Sequence, residues 1–149
     1  LQSNKTRQVA AHFQWVQSVD REKIARRLDD QRPHHAPPLN VCIQVDIGSE
    51  PGKGGAEESR VKPLAELIAT LPRLRLRGLM AIPPPSDDFD EQCRHFRQLR
   101  KLRDTLQTDG IMLDTLSMGM TGDMEAAIAE GSTMLRIGTA LFGPRHSAE

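Results

Sequence analysis

The stretch Leu39-Asn40-Val41-Cys42-Ile43-Gln44-Val45-Asp46-Ile47 alternates along its whole length. Successive side chains of a strand point to opposite faces, so Leu39, Val41, Ile43, Val45 and Ile47 share one face, and Asn40, Cys42, Gln44 and Asp46 the other. The pattern predicts a strand over 39–47. A glycine-rich loop, Gly48 to Gly55, leads from it to a helix over Glu57 to Leu71, where Val61, Leu64, Ala65, Leu67 and Ile68 form an apolar stripe that Pro72 closes. A strand that feeds a helix before the next strand is the signature of a parallel pair.

The same strand-then-helix order repeats in both directions. Downstream, Leu74 to Ile82 reads as a strand ended by Pro83-Pro84-Pro85, and Ser86 is placed to cap a long helix from Asp87 to Gln107. In that helix Phe89, Cys93, Phe96, Leu99, Leu102 and Leu106 recur at three- and four-residue intervals. Thr115 to Met118 is a short strand, Asp123 to Glu130 a helix ending at Gly131, and Met134 to Leu141 a final strand. Upstream, Trp15 to Val19 is a strand, followed by a helix with Asp20 as N-cap and Ile24, Ala25 and Leu28 on its apolar face. The proline-rich loop Gln31 to Pro38 stops that helix, and Ser3 to Phe13 is a short amphipathic helix behind a Ser3 N-cap.

Five strands with intervening helices define an α/β protein with a parallel sheet and right-handed crossovers. Spacing of about 30 residues per unit fits five-eighths of a (β/α)₈ TIM barrel, whose full length is roughly 250 residues. A five-stranded doubly wound sheet fits the count equally well.

The composition narrows the partners. Twenty Lys and Arg balance twenty Asp and Glu, so no basic field invites nucleic acid or an anionic membrane. Aromatic residues are 3%, too few for base-stacking platforms. No apolar run approaches the roughly 20 residues of a membrane span. Cys42 and Cys93 lie far apart, which suits a reducing, cytoplasmic setting. The histidines, His34-His35 included, have no ligand spacing, so no metal site is expected. The run Arg94, Arg97, Arg100, Lys101 and Arg103 reads as the solvated face of its helix.

Chemistry concentrates near the C-terminus. Ser117-Met118-Gly119-Met120-Thr121-Gly122-Asp123 passes from strand through loop to helix, offering two hydroxyls, two glycines and unpaired amides suited to an anion such as phosphate. Arg136-Ile137-Gly138-Thr139 repeats a glycine and a hydroxyl at the next strand end. In barrels the last two strand ends frequently form a phosphate site, which predicts that Ser117, Gly119, Thr121, Gly138 and Thr139 converge. Turn-making glycines and locally satisfied hydroxyls would produce the same letters. Arg136 interrupts an apolar segment and needs a partner to offset its desolvation; a phosphorylated ligand would serve.

Leu1-Gln2-Ser3-Asn4-Lys5, Leu76-Arg77-Gly78-Leu79-Met80-Ala81-Ile82-Pro83, Leu116 to Glu125 and Arg136 to Gly143 together resemble the pyridoxal phosphate homeostasis proteins, the YggS and proline-synthetase co-transcribed homologue group. The resemblance covers nearly the whole chain and implies a (β/α)₈ barrel of the alanine racemase N-terminal type, with residues 1–149 as a partial pyridoxal phosphate-binding domain. The N-terminal strands and the final helix would be missing from it. It further implies cofactor-binding roles for Met80, Ser117, Gly119, Met120, Thr121, Arg136, Gly138 and Thr139, with Arg136 facing the ring nitrogen or the phosphate. Thr121 stands where the family commonly has serine. The family's Schiff-base lysine belongs to a strand upstream of Leu1, so none of Lys5, Lys23, Lys53, Lys62 and Lys101 occupies its motif and no catalytic residue is assigned.

The implied function is binding of pyridoxal phosphate in intracellular vitamin B6 and amino-acid homeostasis without robust catalysis, by a monomer or homodimer. The alternative is a racemase-like enzyme using the same cofactor, which would need a second base that this tyrosine-free chain does not supply as a tyrosine. An anion site for another phosphorylated metabolite is a third reading.

Overall fold

The computed structural model describes residues 1–48 and 54–143. Lys53 and the segment 144–149 lie outside them. Among the described residues, β1 (Trp15–Val19), β2 (Leu39–Gln44), β3 (Leu74–Met80) and β4 (Thr115–Ser117) form one sheet in that order, every pairing parallel. The crossovers are α2 (Glu22–Gln31), α3 (Glu58–Ala69) and α4 (Phe89–Thr108). A 3-10 turn (Ser3–Lys5) and α1 (Thr6–His12) precede β1, and α5 (Met124–Ala129) follows β4.

Alternation along β2 does what it predicts. Leu39, Val41 and Ile43 are fully buried, and Val45 and Ile47 continue the buried face beyond the strand. They meet Ile24, Ala25 and Leu28 of α2, Val61, Ala65 and Ile68 of α3, and Phe96 and Leu99 of α4 in one core. Each large aliphatic side chain removed from water there contributes about 1.5–3 kcal/mol, so this face fixes which side of the sheet the helices cover.

The other face curls. In a flat sheet β1 and β4 would stand three spacings of about 4.8 Å apart, beyond the joint reach of a glutamine and a serine. Yet the Ser117 hydroxyl of β4 donates to Gln17 Oε1 of β1 at 2.5 Å. Gly78 permits part of that approach: a Cβ there would lie 1.7 Å from the Thr115 carbonyl oxygen. The sheet is therefore a segment of barrel wall with Trp15, Gln17, Asn40, Cys42, Met80 and Ser117 on its inner side, not an open doubly wound sheet.

Four expectations need correction. The strand over 134–141 is absent: Met134 makes one isolated bridge to Ser117, and Thr139–Phe142 is a short helix, α6. The regular ladder register is lost at Gly119, whose φ is +98°, although Arg136 N–H still donates to Gly119 O at 2.9 Å. Asp20 does not cap α2; its carboxylate is held by the Arg21 guanidinium at 2.7 Å, and an extended Arg21 occupies the N-cap. Asp88 rather than Ser86 caps α4, accepting from the amides of Asp90 and Glu91, while Ser86 accepts from Asp88 N–H and donates to Glu91. Ser3 lies within the 3-10 turn, where its carbonyl accepts from the Thr6 hydroxyl instead of its side chain capping a helix.

Candidate functional site at the strand ends

The segment after Ser117 and the segment after Met134 run side by side at the carboxyl ends of the strands. Met118 N–H donates to Met134 O at 3.1 Å, Arg136 N–H to Gly119 O at 2.9 Å, and Ala140 N–H to the Thr121 hydroxyl at 3.3 Å. Ser117, Gly119 and Thr121 thus lie on one of two adjoining segments, and Gly138 and Thr139 on the other. Met120 is exposed, and its amide donates to Asp123 Oδ1 at 2.6 Å, tightening the turn into α5.

The glycines of the two segments differ. A Cβ on Gly119 would sit 2.5 Å from Ala127 Cβ and 2.8 Å from Leu135, so packing and its positive φ account for it without a ligand. Gly138 faces open space within 4 Å, as does Gly122. Among the described residues the amides of Gly122, Gly138 and Thr139 reach no acceptor.

Arg136 is the chemical centre of the cluster. Its guanidinium donates to the Ser117 hydroxyl at 2.7 Å and to the Ala81 carbonyl at 2.8 Å. Burial pushes its pKa below the ordinary arginine value, opposed by the more distant negative charge of Asp123. An arginine stays protonated nonetheless. Among the described residues no carboxylate pairs with it, so a part-buried cation stands at the strand ends with neutral partners. Met80 is buried on the same inner face, in register with Gln44 on one side and Ser117 on the other. Met118, by contrast, belongs to the core.

Cys42 also faces inward, but burial pushes its thiol up to about 12, so it is no nucleophile at neutral pH. No group of three metal-ligating side chains occurs among the described residues. Within the basic run on α4, Arg97 and Arg100 converge on the buried Glu130 at 2.6 and 3.2 Å, while Arg94 and Lys101 stand exposed as a solvated face. Among the described residues no helix is long and apolar enough to cross a membrane.

Gln17 was not marked by the sequence motifs. Its period-two position in Trp15–Val19 places it on the inner face, and that was the available signal; its pairing with a residue 100 positions away had none. The Ala81 contact is made by backbone and carries no side-chain signature.

A curled parallel α/β wall with a cationic polar cluster at the carboxyl ends of its strands defines the class: a protein built on barrel architecture. The chain belongs to the alanine racemase N-terminal domain family, which matches residues 1–146. It is 57% identical to the pyridoxal phosphate homeostasis protein of Pseudomonas aeruginosa and 54% identical to that of Escherichia coli K12, in each case across 97% of this chain and 62% of the relative. The chain therefore spans somewhat under two thirds of the length of these curated relatives. The structure of PipY from Synechococcus elongatus without PLP superposes with a TM-score of 0.88 at 36% identity, covering 96% of this chain and 67% of that one. A second PipY structure is described as having PLP bound, with a TM-score of 0.86. Alanine racemase of Clostridium difficile shares the fold alone, at a TM-score of 0.77 and 13% identity.

Proposed function

We propose that this chain supplies the anion side of a pyridoxal phosphate site, and that the whole protein binds the cofactor in vitamin B6 and amino-acid homeostasis within the cytoplasm rather than turning over amino acids. The observation that carries the reading is Arg136, a part-buried cation without a bonded carboxylate among the described residues. The relatives' names and the PipY structure with PLP support the same ligand.

The residues present fit the group. Arg136 would donate to the ring nitrogen or meet the charge of the phosphate, and Ser117, Thr121, Gly138 and Thr139 would receive phosphate oxygens through hydroxyl and amide donors. Met80 would line the ring, while Gly119 and Met120 would shape the turn that presents Thr121. The cofactor, when bound, supplies an amine-capturing aldehyde and an electron sink; a guanidinium at its ring nitrogen would keep that atom unprotonated and weaken the sink. That outcome favours storage over racemisation.

The test is equilibrium binding of pyridoxal phosphate, pyridoxal and inorganic phosphate to the 149-residue chain, followed by borohydride reduction and intact mass. The expected result is reversible binding that needs both ring and phosphate, no lysine adduct, and no racemisation of amino acids. Absence of phosphate-dependent binding overturns the reading. A stoichiometric adduct on one lysine overturns the reading that none of this chain's lysines anchors the cofactor.

A further inference from the structure

We infer that Gln17 is the positioning residue of this site: from the opposite wall of the curled sheet it fixes the Ser117 hydroxyl, and through it the Arg136 guanidinium. The functional half of this inference rests on the pyridoxal phosphate reading above; the geometric half stands without it.

The hydrogen bonds leave little freedom. A serine hydroxyl has one proton and two lone pairs. The Ser117 proton goes to Gln17 Oε1 at 2.5 Å, which turns a lone pair toward Arg136, whose Nη1–H donates to Ser117 Oγ at 2.7 Å. Gln17 is itself held, its Nε2 donating to Met134 Sδ at 2.9 Å, so its amide oxygen is the end aimed at Ser117. Met134 in turn begins the segment that carries Arg136 and bridges to Ser117. Three elements, β1, β4 and the segment from Met134, are thereby locked by one side chain.

Ser117 is fully buried, so no water competes for its proton from outside. With Gln17 removed, the Ser117 proton loses the acceptor that fixes it, and the hydroxyl that receives Arg136 is free to rotate. The second guanidinium contact, to the Ala81 carbonyl at 2.8 Å, holds one nitrogen only. The orientation of the guanidinium plane, which decides what it presents to a ligand, therefore depends on Gln17. Because the bond crosses the inner face between outer strands, the same contact also sets how tightly the sheet curls at the site.

The experiment compares wild type with Gln17→Leu, Gln17→Glu, Ser117→Ala and the Gln17→Leu/Ser117→Ala pair, each first checked for an unchanged far-ultraviolet spectrum. Arginine side-chain ¹⁵N spectra of the ligand-free chain report Arg136 directly. The expected result is a protected Arg136 guanidinium in wild type and Gln17→Glu, which keeps the acceptor oxygen, and loss of protection in Gln17→Leu and Ser117→Ala. An unchanged Arg136 signal in Gln17→Leu overturns the inference. Binding of pyridoxal phosphate is expected to weaken about three- to tenfold in Gln17→Leu, the worth of one hydrogen bond, with the double variant no weaker than Ser117→Ala alone. Additive losses would show that Gln17 acts other than through Ser117. If the wild-type chain fails to bind the probe, the cofactor reading falls while the guanidinium spectra still decide the positioning inference.

Discussion

Two arginines at opposite ends of the curled wall, Arg77 on β3 and Arg136 on the segment beyond Met134, are treated in opposite ways. Arg77, toward the amino ends of the strands, donates to both Asp114 carboxylate oxygens and to Asn40 Oδ1 at 3.0 Å, and stacks 4.8 Å from the Trp15 ring. Arg136, toward the carboxyl ends, has a hydroxyl and one carbonyl. A cation whose charge is matched at home stabilises the fold and has nothing left to offer. One that is desolvated but unmatched is held ready for a charge that arrives from outside. On the function proposed above, the contrast divides the wall into a fastened end and a receiving end, which is how barrels distribute stability and function.

The largest effects come from the wall that holds both arginines. Gly78→Ala puts a methyl 1.7 Å from the Thr115 carbonyl oxygen, so it forces β3 and β4 apart. The loss expected in urea unfolding lies at or beyond the roughly 3 kcal/mol top of the usual overpacking range. Gly119→Ala combines a positive φ, worth about 1–2 kcal/mol, with a collision against Ala127 and Leu135. It should weaken stability and ligand binding together, because its turn carries Thr121. Full stability in Gly78→Ala would mean that the strands do not approach as closely as described.

Next in size is a crossed pair. Arg136→Met is expected to weaken pyridoxal phosphate binding by at least about tenfold, the worth of a charged hydrogen bond, while stability stays within about 1 kcal/mol because a desolvated cation is removed. Arg77→Met should leave binding unchanged and cost about 1–2 kcal/mol through lost stacking and hydrogen bonds. For a chain of this size that is a fall in Tm of several degrees. Equal effects of the two substitutions on binding would dissolve the distinction between the ends.

What was legible in the sequence follows from the range of the interactions. Leu39 to Ile47 announced its faces because alternation is local, and α3 and α4 announced theirs through the stripes Val61 to Ile68 and Cys93 to Leu106. The neighbourhood of Ser117 and Arg136 was legible from hydroxyl, glycine and cation at two successive strand ends. The structure departs from the expected caps at Asp20 and Ser86 because a competing partner one or two residues away, Arg21 or Asp88, decides which oxygen meets the helix amides. The strand expected over 134–141 failed because a ladder needs a register that continues, and Gly119 ends it. Gln17 was invisible as a site residue since only the curl of the sheet brings β1 to β4.

The smallest effect tests whether the fastened end depends on charge. Arg77 holds Asp114 below the usual carboxylate value of 3.8, chiefly through its hydrogen bond, with Thr115 adding a second and burial opposing both. A lowered native pKa means that the pair stabilises the fold in full above the unfolded value and loses that contribution as protons bind the native carboxylate. Stability should therefore decline from about pH 5, through 3.8, to the depressed native value, and no further on this account below it. Asp114 is 61% exposed, so screening limits the effect to about 0.5 kcal/mol. Asp114→Asn should flatten the acid limb of the urea midpoint by that amount while leaving the ligand affinity of the Arg136 end untouched at every pH. A variant that keeps the full acid slope would assign Arg77's hold on the wall to Trp15 and Asn40, making the fastened end one of packing and neutral hydrogen bonds instead of charge.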